Sequence, residues 1–490
     1  MTLTPPTRDE LAAYAERAGM MISAEDLDDC VAWAARSVIA MGRVAQLGNS
    51  SRRPHTPAER DAGRRPTPSE DPYNAIVRFC EAKGSGDGPL AGMRIGVKDN
   101  IAVAGVPMTR GDRIEGAPVP REDAAVIERL LDAGASVTAK TNTAWQLAGA
   151  ALGDTLNPRD PRFSPGFSSS GSAAAVATRL VDAALGTDIA GSVRIPAAWC
   201  GIVGMKATHG LVPTSSGLRA HALNDIGPLT MTVAESEALL EVMTDGERVT
   251  AGAAGAEGIA ALRIGVVPEA AEPGVCTPGT LSAFDRAREI LAGSGATVTQ
   301  VSVPLWRHAA TILLATQDLW QMASESHWLR EDADYLGRID EALLSELAND
   351  RDAGRQRPVL VTAEYLRERA EGAFVFAQAH NLRLELRRQL EQALSQVDVL
   401  VTPTTVAGPF RLDDQRLADP DATRALLELM IRNTAPLNLT GHPALSIPSG
   451  PGDDDLPTGL QIVGRRFADS VVYRVGIWFD EHRDAGGGCR

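Results

Sequence analysis

The first fifty residues place apolar side chains at helical spacing in two blocks. The pattern predicts one helix from about residue 7 to residue 18 and a second from about residue 24 to residue 45. Ser23 is a favourable N-cap for the second helix, and Asp26 stands three residues later, where it can complete a capping box. We therefore expect residues 1–49 to form a helical N-terminal extension.

The pattern is lost between Ser50 and Pro72. This stretch holds five prolines and five arginines and almost no large apolar residue. Such a composition is typical of an extended linker or a wrapping arm. We expect residues 50–71 to link the helical extension to a core domain over residues 72–490.

Strand and helix patterns then alternate. Residues 93–97 and 136–139 read as strands, and between them residues 123–133 predict a helix that ends before Gly134, a good C-terminal cap. Further patterns predict helices at 171–180 and 282–292, strands at 262–267, 297–303, 397–401, 443–448 and 456–463, and a largely helical, charged segment from 334 to 396. This order predicts an α/β layer fold.

Composition and charge exclude several classes of protein. The chain has 490 residues, with 48 basic and 63 acidic side chains and a formal net charge of −15, which argues against nucleic acid as the main partner. The sequence has no run of 18 apolar residues, so it predicts no membrane span. The first ten residues do not resemble a signal peptide, and we therefore expect a cytoplasmic protein. Five widely spread cysteines do not suggest a disulfide framework.

Several common active-site motifs are missing from the sequence. It contains no G-x-S-x-G elbow, no phosphate-binding P-loop and no G-x-G-x-x-G. Its eight histidines include no H-E-x-x-H pair. We therefore expect neither a metal nor an organic cofactor, and no Ser-His-Asp hydrolase of the usual kind.

Two loops rich in serine and glycine stand out instead. Residues 164–172 read SPGFSSSGS, residues 186–196 read GTDIAGSVRIP, and Lys98 ends an apolar strand upstream. A serine needs a base to become a nucleophile, and without a suitable histidine the remaining candidate is a lysine. That lysine must be neutral, so burial must lower its pKa, and a shift from ~10.4 to ~7–8 costs about 4 kcal/mol.

These motifs resemble the amidase signature family, which are serine hydrolases with a Ser-cisSer-Lys triad. The resemblance rests on GVKDN (96–100), the serine loop, GTDIAGSVRIPAAWCGIVGMK (186–206), NDIGPLT (224–230) and NLTGHPALSIP (438–448). It covers residues 72 to 475, and the two serines are 24 residues apart (192 − 168). It implies the amidase-signature α/β fold, a central mixed β-sheet covered by helices on both faces, and a catalytic domain at 72–490.

The resemblance assigns the chemical roles. It implies that Ser192 is the nucleophile and that neutral Lys98 is the base. It also implies that Ser168, held by a cis peptide bond, passes the proton between them. The backbone N–H groups implied for the oxyanion hole are those of Ile189, Ala190, Gly191 and Ser192. The residues implied to support the loops are Ser169, Asp188 and Arg194. The reaction implied is hydrolysis of a carboxamide C–N bond to a carboxylate and ammonia or an amine, through an acyl-enzyme.

Within the family, the sequence looks nearest to broad-substrate bacterial amidases associated with nitrile metabolism. That branch is typically dimeric and cleaves primary amides, so the resemblance implies a small-molecule amide substrate and a homodimer joined by the N-terminal helices. Phe167 and Ala190 stand where the family usually has glycine, and both are expected to reshape the acyl pocket. The candidate substrate-binding residues are Trp145, Gln146, Phe167, His221 and Asn224.

Other interpretations remain open at this stage. Taken singly, Lys98 is typical of a surface lysine and Ser192 of a turn; only their joint occurrence with Ser168, in order, favours an enzyme. The acyl bond could be that of an ester, a hydrazide or an anilide. The chain could belong to a tRNA-dependent amidotransferase, as the subunit that releases ammonia from glutamine, or it could be a non-catalytic family member.

Overall fold

The structure is a computed structural model of the whole chain. It describes residues 4–17, 20–50, 60–109, 117, 119–120, 122–143, 154–214, 223–244, 258–316 and 369–483. By its internal contacts the chain divides into two units, residues 1–57 and 58–490.

The first unit contains two helices, α1 (Arg8–Arg17) and α2 (Ala24–Ser50). Both lie where the sequence pattern predicts them, and α2 extends five residues further. Ser23 caps α2 as expected, because its hydroxyl accepts the Asp26 N–H at 3.0 Å. Arg8 of α1 is paired with Asp28 of α2 at 2.7 Å.

The second unit begins earlier than the sequence predicts. Residues 60–64, which were expected to belong to the linker, form an edge strand that pairs with the next strand of the sheet. Arg60 makes a buried ion pair with Asp123 at 2.6 Å, and Arg78 donates to the carbonyls of this strand. The linker prediction is therefore wrong over residues 60–64. The sequence pattern did not reveal this strand, because polar contacts rather than an apolar face hold it.

A single mixed sheet forms the centre of the second unit. Among the described residues it has twelve strands, in the spatial order β1-β2-β4-β3-β5-β7-β6-β11-β12-β10-β8-β9. The strands are β1 (Arg60–Arg64), β2 (Ile76–Ala82), β3 (Arg94–Lys98), β4 (Ser136–Thr141), β5 (Ala183–Asp188), β6 (Val203–Lys206), β7 (Asp225–Thr230), β8 (Arg263–Val266), β9 (Thr297–Gln300), β10 (Val399–Pro403), β11 (Ala444–Pro451) and β12 (Pro457–Gly464). β3 is parallel to both β4 and β5, whereas β5 and β7 are antiparallel.

Helices cover both faces of this sheet. They are α3 (Ala125–Asp132), α4 (Ser170–Ala177), α5 (Arg194–Cys200), α6 (Val233–Met243), α7 (Pro278–Gly293), α8 (Ala370–Gln396), α9 (Pro420–Ile431), α10 (Ala435–Thr440) and α11 (Asp469–His482). Helices α3, α6, α7 and α11 pack into one apolar core, whereas α4, α5, α8 and α10 pack into the cores on the other side. The predicted α/β fold with a central mixed sheet is confirmed.

The apolar cores explain why the strands carry few polar residues. Strands β5, β6, β7 and β10 are buried along their whole length, as expected for strands covered on both faces. In the described parts of the chain, no helix combines the length and the apolar character that crossing a membrane requires.

Candidate active site

The site forms where β3 and β5 end side by side. Lys98 is the last residue of β3 and Asp188 the last residue of β5, and the two strands are parallel neighbours. Parallel strands bring their carboxyl ends to one edge of a sheet, where side chains from different strands meet. Helix α4 packs against both strands, and the serine loop that precedes it lies at the same edge.

Lys98 lies at the centre of a cluster of hydroxyl groups. Its side chain is 1% exposed. The Lys98 Nζ lies 2.7 Å from Ser168 Oγ, 3.0 Å from Ser169 Oγ and 2.8 Å from Thr187 Oγ1. None of these partners is a carboxylate, so among the described residues the ammonium form has no direct counter-charge within hydrogen-bonding distance.

Burial lowers the pKa of Lys98 well below its usual value, because the buried ammonium loses its hydration. The negative charge of Asp188 raises the pKa again, but by less than burial lowers it. The environment therefore favours a neutral amine, which is the form that can accept a proton.

The hydroxyl partners orient this amine. A neutral amine has two N–H donors and one lone pair, so one of its three hydroxyl neighbours must donate to it. Ser169 Oγ donates to the Thr187 carbonyl at 3.3 Å, so it accepts from Lys98. When Thr187 accepts the second N–H, the lone pair faces Ser168.

Thr187 is a functional residue that the sequence analysis missed. Its hydroxyl also accepts from Asn100 Nδ2 at 3.1 Å, so two donors converge on it. The signal available in the sequence was its position directly before Asp188 in the 186–196 loop, but only the contact with Lys98 reveals its role.

The serine loop is held by contacts on both sides of Ser168. Thr143 Oγ1 donates to the Ser168 carbonyl at 2.7 Å. Gly166 has φ +115°, and a Cβ there would lie 2.5 Å from the Pro196 backbone, so the chain turns against α5 at a position that only glycine fits. The expected cis peptide bond before Ser168 is wrong for this structure: every peptide bond of the described residues is trans. The turn at Gly166 brings Ser168 into contact with Lys98 without a cis peptide bond.

Ser192 lies between β5 and α5 and is 3% exposed. Its carbonyl accepts the Ser169 N–H at 3.3 Å, which ties the two serine-containing loops together. Within the described chain its hydroxyl has no hydrogen-bond partner, so it is not yet linked to Ser168. Catalytic hydrogen bonds are often long in ligand-free enzymes and tighten when substrate binds.

The loop that leads to Ser192 leaves only some of its N–H groups free. Gly191 N–H donates to Asp188 Oδ1 at 2.8 Å, so the prediction that it belongs to the oxyanion hole is wrong in this structure. Among the described residues, the N–H groups of Ile189, Ala190 and Ser192 have no acceptor. Ala190 does not have a positive φ, so its methyl group causes no backbone strain.

Asp188 and Arg194 support this loop from within the protein. Both are fully buried and pair through two contacts, at 2.9 and 3.0 Å. Burial alone would raise the pKa of Asp188, but the charge and hydrogen bonds of Arg194 outweigh it and hold the pKa below its usual range. The other partners of Arg194 were not predicted, and they come from distant parts of the chain: Thr434, Asn438 and Gln461.

The candidate substrate-binding residues have different outcomes. Phe167 is buried in the apolar core that also contains Ala190. Asn224 is 5% exposed and directly precedes Asp225, which lies opposite Asp188 in the pairing of β5 with β7. Trp145, Gln146 and His221 lie outside the described residues.

The buried thiol of Cys200 does not compete with this cluster as a nucleophile. Burial raises the pKa of the Cys200 thiol to about 12, which makes it a poor nucleophile. Across the part of the chain that the structure describes, no three metal-ligating side chains come together in a possible metal site.

Comparison with protein families agrees with this geometry. A family model described as Amidase matches residues 78–472. The match spans most of the chain, and the chain therefore belongs to the amidase family.

Individual relatives narrow the comparison. The chain is 35% identical to the A subunit of glutamyl-tRNA(Gln) amidotransferase from Natronomonas pharaonis, over 82% of this chain and 99% of that protein. The crystal structure of the same subunit from Thermotoga maritima is similar, with a TM-score of 0.65 and 29% identity over 80% of this chain and 83% of that one. The peptide amidase from Stenotrophomonas maltophilia matches with a TM-score of 0.64 and 25% identity, covering 81% of this chain and 84% of that one. The similar proteins thus include amidotransferase subunits, and the expected likeness to nitrile-associated amidases is not what these relatives show.

Proposed function

We propose that the chain hydrolyses a primary carboxamide to a carboxylate and ammonia, with Ser192 as the nucleophile. The observation that carries this proposal is the contact of a buried lysine, Lys98, with Ser168 at 2.7 Å, next to the loop that holds Ser192. Membership of the amidase family supports cleavage of an amide C–N bond.

The reaction uses each group in turn. Ser192 Oγ attacks the amide carbonyl carbon while its proton passes to Ser168, and the proton of Ser168 passes to the lone pair of Lys98. The proton then returns along the same path to the nitrogen, the C–N bond breaks and ammonia leaves. A water molecule attacks the resulting ester by the same relay, releasing the acid and restoring the Ser192 hydroxyl.

The N–H groups of Ile189, Ala190 and Ser192 form the oxyanion hole in this proposal. The Asp188–Arg194 pair stabilises the loop that carries these N–H groups, because Asp188 accepts the N–H groups of Gly191 and Val193 and thereby fixes the turn. Each donor of such a hole contributes roughly 3–4 kcal/mol to stabilising the transition state.

Two amide substrates fit this chemistry. In the first, the chain acts alone on simple amides, as expected from the resemblance to nitrile-associated amidases. In the second, which the amidotransferase relatives favour, the substrate is the side-chain amide of glutamine and the chain works within an amidotransferase with partner subunits. Both reactions release ammonia through the same acyl-enzyme, and a related acyl bond in an ester, hydrazide or anilide is a further candidate.

The assembly and location remain predictions. A homodimer through α1 and α2 follows from the first substrate proposal, and a complex with other subunits from the second. Cytoplasmic localisation is expected for either.

The decisive experiment is detection of the acyl-enzyme by mass spectrometry. The chain is incubated with acetamide, propionamide, benzamide, glutamine or a peptide amide, and the acyl group is located on Ser192. Ser192→Ala should abolish both ammonia release and labelling by a fluorophosphonate, while keeping the melting temperature of the wild type. Full turnover by this variant would overturn the proposal.

A second experiment separates the two substrates. The chain is purified alone and its ammonia release from glutamine is compared with that from benzamide. Fast hydrolysis of benzamide by the isolated chain favours the stand-alone amidase, whereas a preference for glutamine that increases with partner subunits favours the amidotransferase.

A further inference from the structure

The side-chain oxygen of Asn224 is buried without a hydrogen-bond partner among the described residues. This atom, Oδ1, is one of the few buried polar atoms of the described residues that lack a partner. A buried polar group left unpaired costs about 1–3 kcal/mol. The burial of this oxygen therefore costs the folded state free energy, and a role in binding a ligand would explain why it is kept.

The position of Asn224 connects it to the active site. Asp225 lies opposite Asp188, and Ile226 lies opposite Thr187, in the antiparallel register of β5 and β7. Continued by one residue, the same register places Asn224 opposite Ile189, the first N–H group of the proposed oxyanion hole. Asn224 therefore lies at the end of the β5–β7 pairing from which the loop to Ser192 begins.

A second unpaired oxygen lies on the other side of Thr187. Asn100 Nδ2 donates to Thr187 Oγ1 at 3.1 Å, but Asn100 Oδ1 is buried without a partner. Two carboxamide oxygens, both acceptors, therefore remain unpaired, one beside Thr187 at Asn100 and one directly before β7 at Asn224. The groups that they lack are N–H donors.

The substrate of the proposed reaction supplies such donors. The nitrogen of a primary carboxamide carries two N–H groups, whereas the leaving oxygen of an ester carries none. A site built to pair with a substrate N–H discriminates strongly against analogues that lack it, since its own buried polar groups are then left unpaired.

We propose that the Asn224 carboxamide oxygen accepts an N–H of the scissile amide, so that Asn224 selects primary carboxamides over esters of the same acid. This inference rests on the proposed hydrolysis at Ser192. Asn224 is a substrate-binding residue in this proposal, and it moves no proton.

The test compares one acyl group on two leaving groups. The primary carboxamide that the wild type hydrolyses fastest, among acetamide, propionamide, benzamide, glutamine and a peptide amide, is paired with the methyl ester of the same acid. The kcat/KM ratio of amide to ester is measured for the wild type, Asn224→Leu and Asn224→Ser. We expect this ratio to fall by about tenfold to a hundredfold in both variants.

Leu223→Val is the matched control, because Leu223 is the buried neighbour of Asn224 and packs in the apolar core. This variant should change amide and ester hydrolysis by the same factor. A ratio within twofold of the wild type in whichever Asn224 variant folds would overturn the inference, while Ser192→Ala decides the proposed function separately. A wild type that hydrolyses no primary carboxamide would overturn both.

Discussion

Lys98 Nζ lies 2.7 Å from Ser168 Oγ, although the two residues are 70 positions apart in the chain. The contact joins the end of a buried strand to a loop that precedes a helix. It matters because a buried amine surrounded only by hydroxyls loses its charge more easily than one beside a carboxylate. Activity and stability should therefore respond to changes at Lys98 and at the groups that support it.

The activity should depend on pH through Lys98. Burial lowers the pKa of Lys98, and only the neutral amine can take the proton of Ser168. As the pH falls through this pKa the amine becomes charged, so kcat/KM should fall by about tenfold per pH unit on the acid side. The measurement is a pH–rate profile, with circular dichroism showing that the fold persists. A flat rate down to pH 5 contradicts a lysine base.

Thr187→Val should reduce kcat by about tenfold to a hundredfold. The variant keeps the shape of the side chain but removes the acceptor of a Lys98 N–H, so the lone pair is no longer directed at Ser168. Thr187→Ser keeps the hydroxyl and is the control, with activity within a few-fold of the wild type. Equal losses in both variants would show that the hydroxyl is not what matters.

Gly191→Ala should destabilise the protein and stop turnover. Gly191 has φ +110°, and a Cβ there would lie 2.3 Å from Thr434 Oγ1. Backbone strain and the steric clash together should cost about 3 kcal/mol or more. Urea unfolding measures this loss.

The control for this variant is Gly210→Ala. Gly210 has φ +84°, but a Cβ there would meet no atom of the described residues within 4 Å, so the variant carries only the backbone strain, about 1–2 kcal/mol. Similar losses at the two positions would mean that the contact with Thr434 adds nothing.

Asp188→Asn should lower the free energy of unfolding by about 3–5 kcal/mol, because it leaves the buried Arg194 charge without its counter-charge. Asp413→Asn is the control: it removes the same charge from an exposed pair with Arg411, where solvent already screens the interaction, and stability should hardly change. Chemical denaturation of both variants makes the comparison. If Asp188→Asn is as stable as the control, the buried pair does not hold the loop.

The predictable part of the fold was the part with a local pattern. Apolar periodicity located α1, α2, α3 and α7, and the strand–helix–strand order around β3 and β4 indicated the α/β class. The edge strand β1 was missed, since its sequence, RDAGR, has no apolar alternation and Arg60 is held by an ion pair with Asp123. Such long-range polar contacts leave no periodic signal.

The candidate site likewise has one part that the sequence determined and another that depended on the tertiary structure. The sequence by itself determined which residue types were available: Lys98, Ser168 and Ser192 in ordered motifs that mark the family. Only the tertiary structure decided that Thr187 is the third hydroxyl at Lys98, that Gly191 gives its N–H to Asp188, and that the Asn224 Oδ1 stays unpaired. Motifs record chemistry along the chain, whereas the direction of a lone pair or the partner of an N–H depends on strands and loops that meet only after folding.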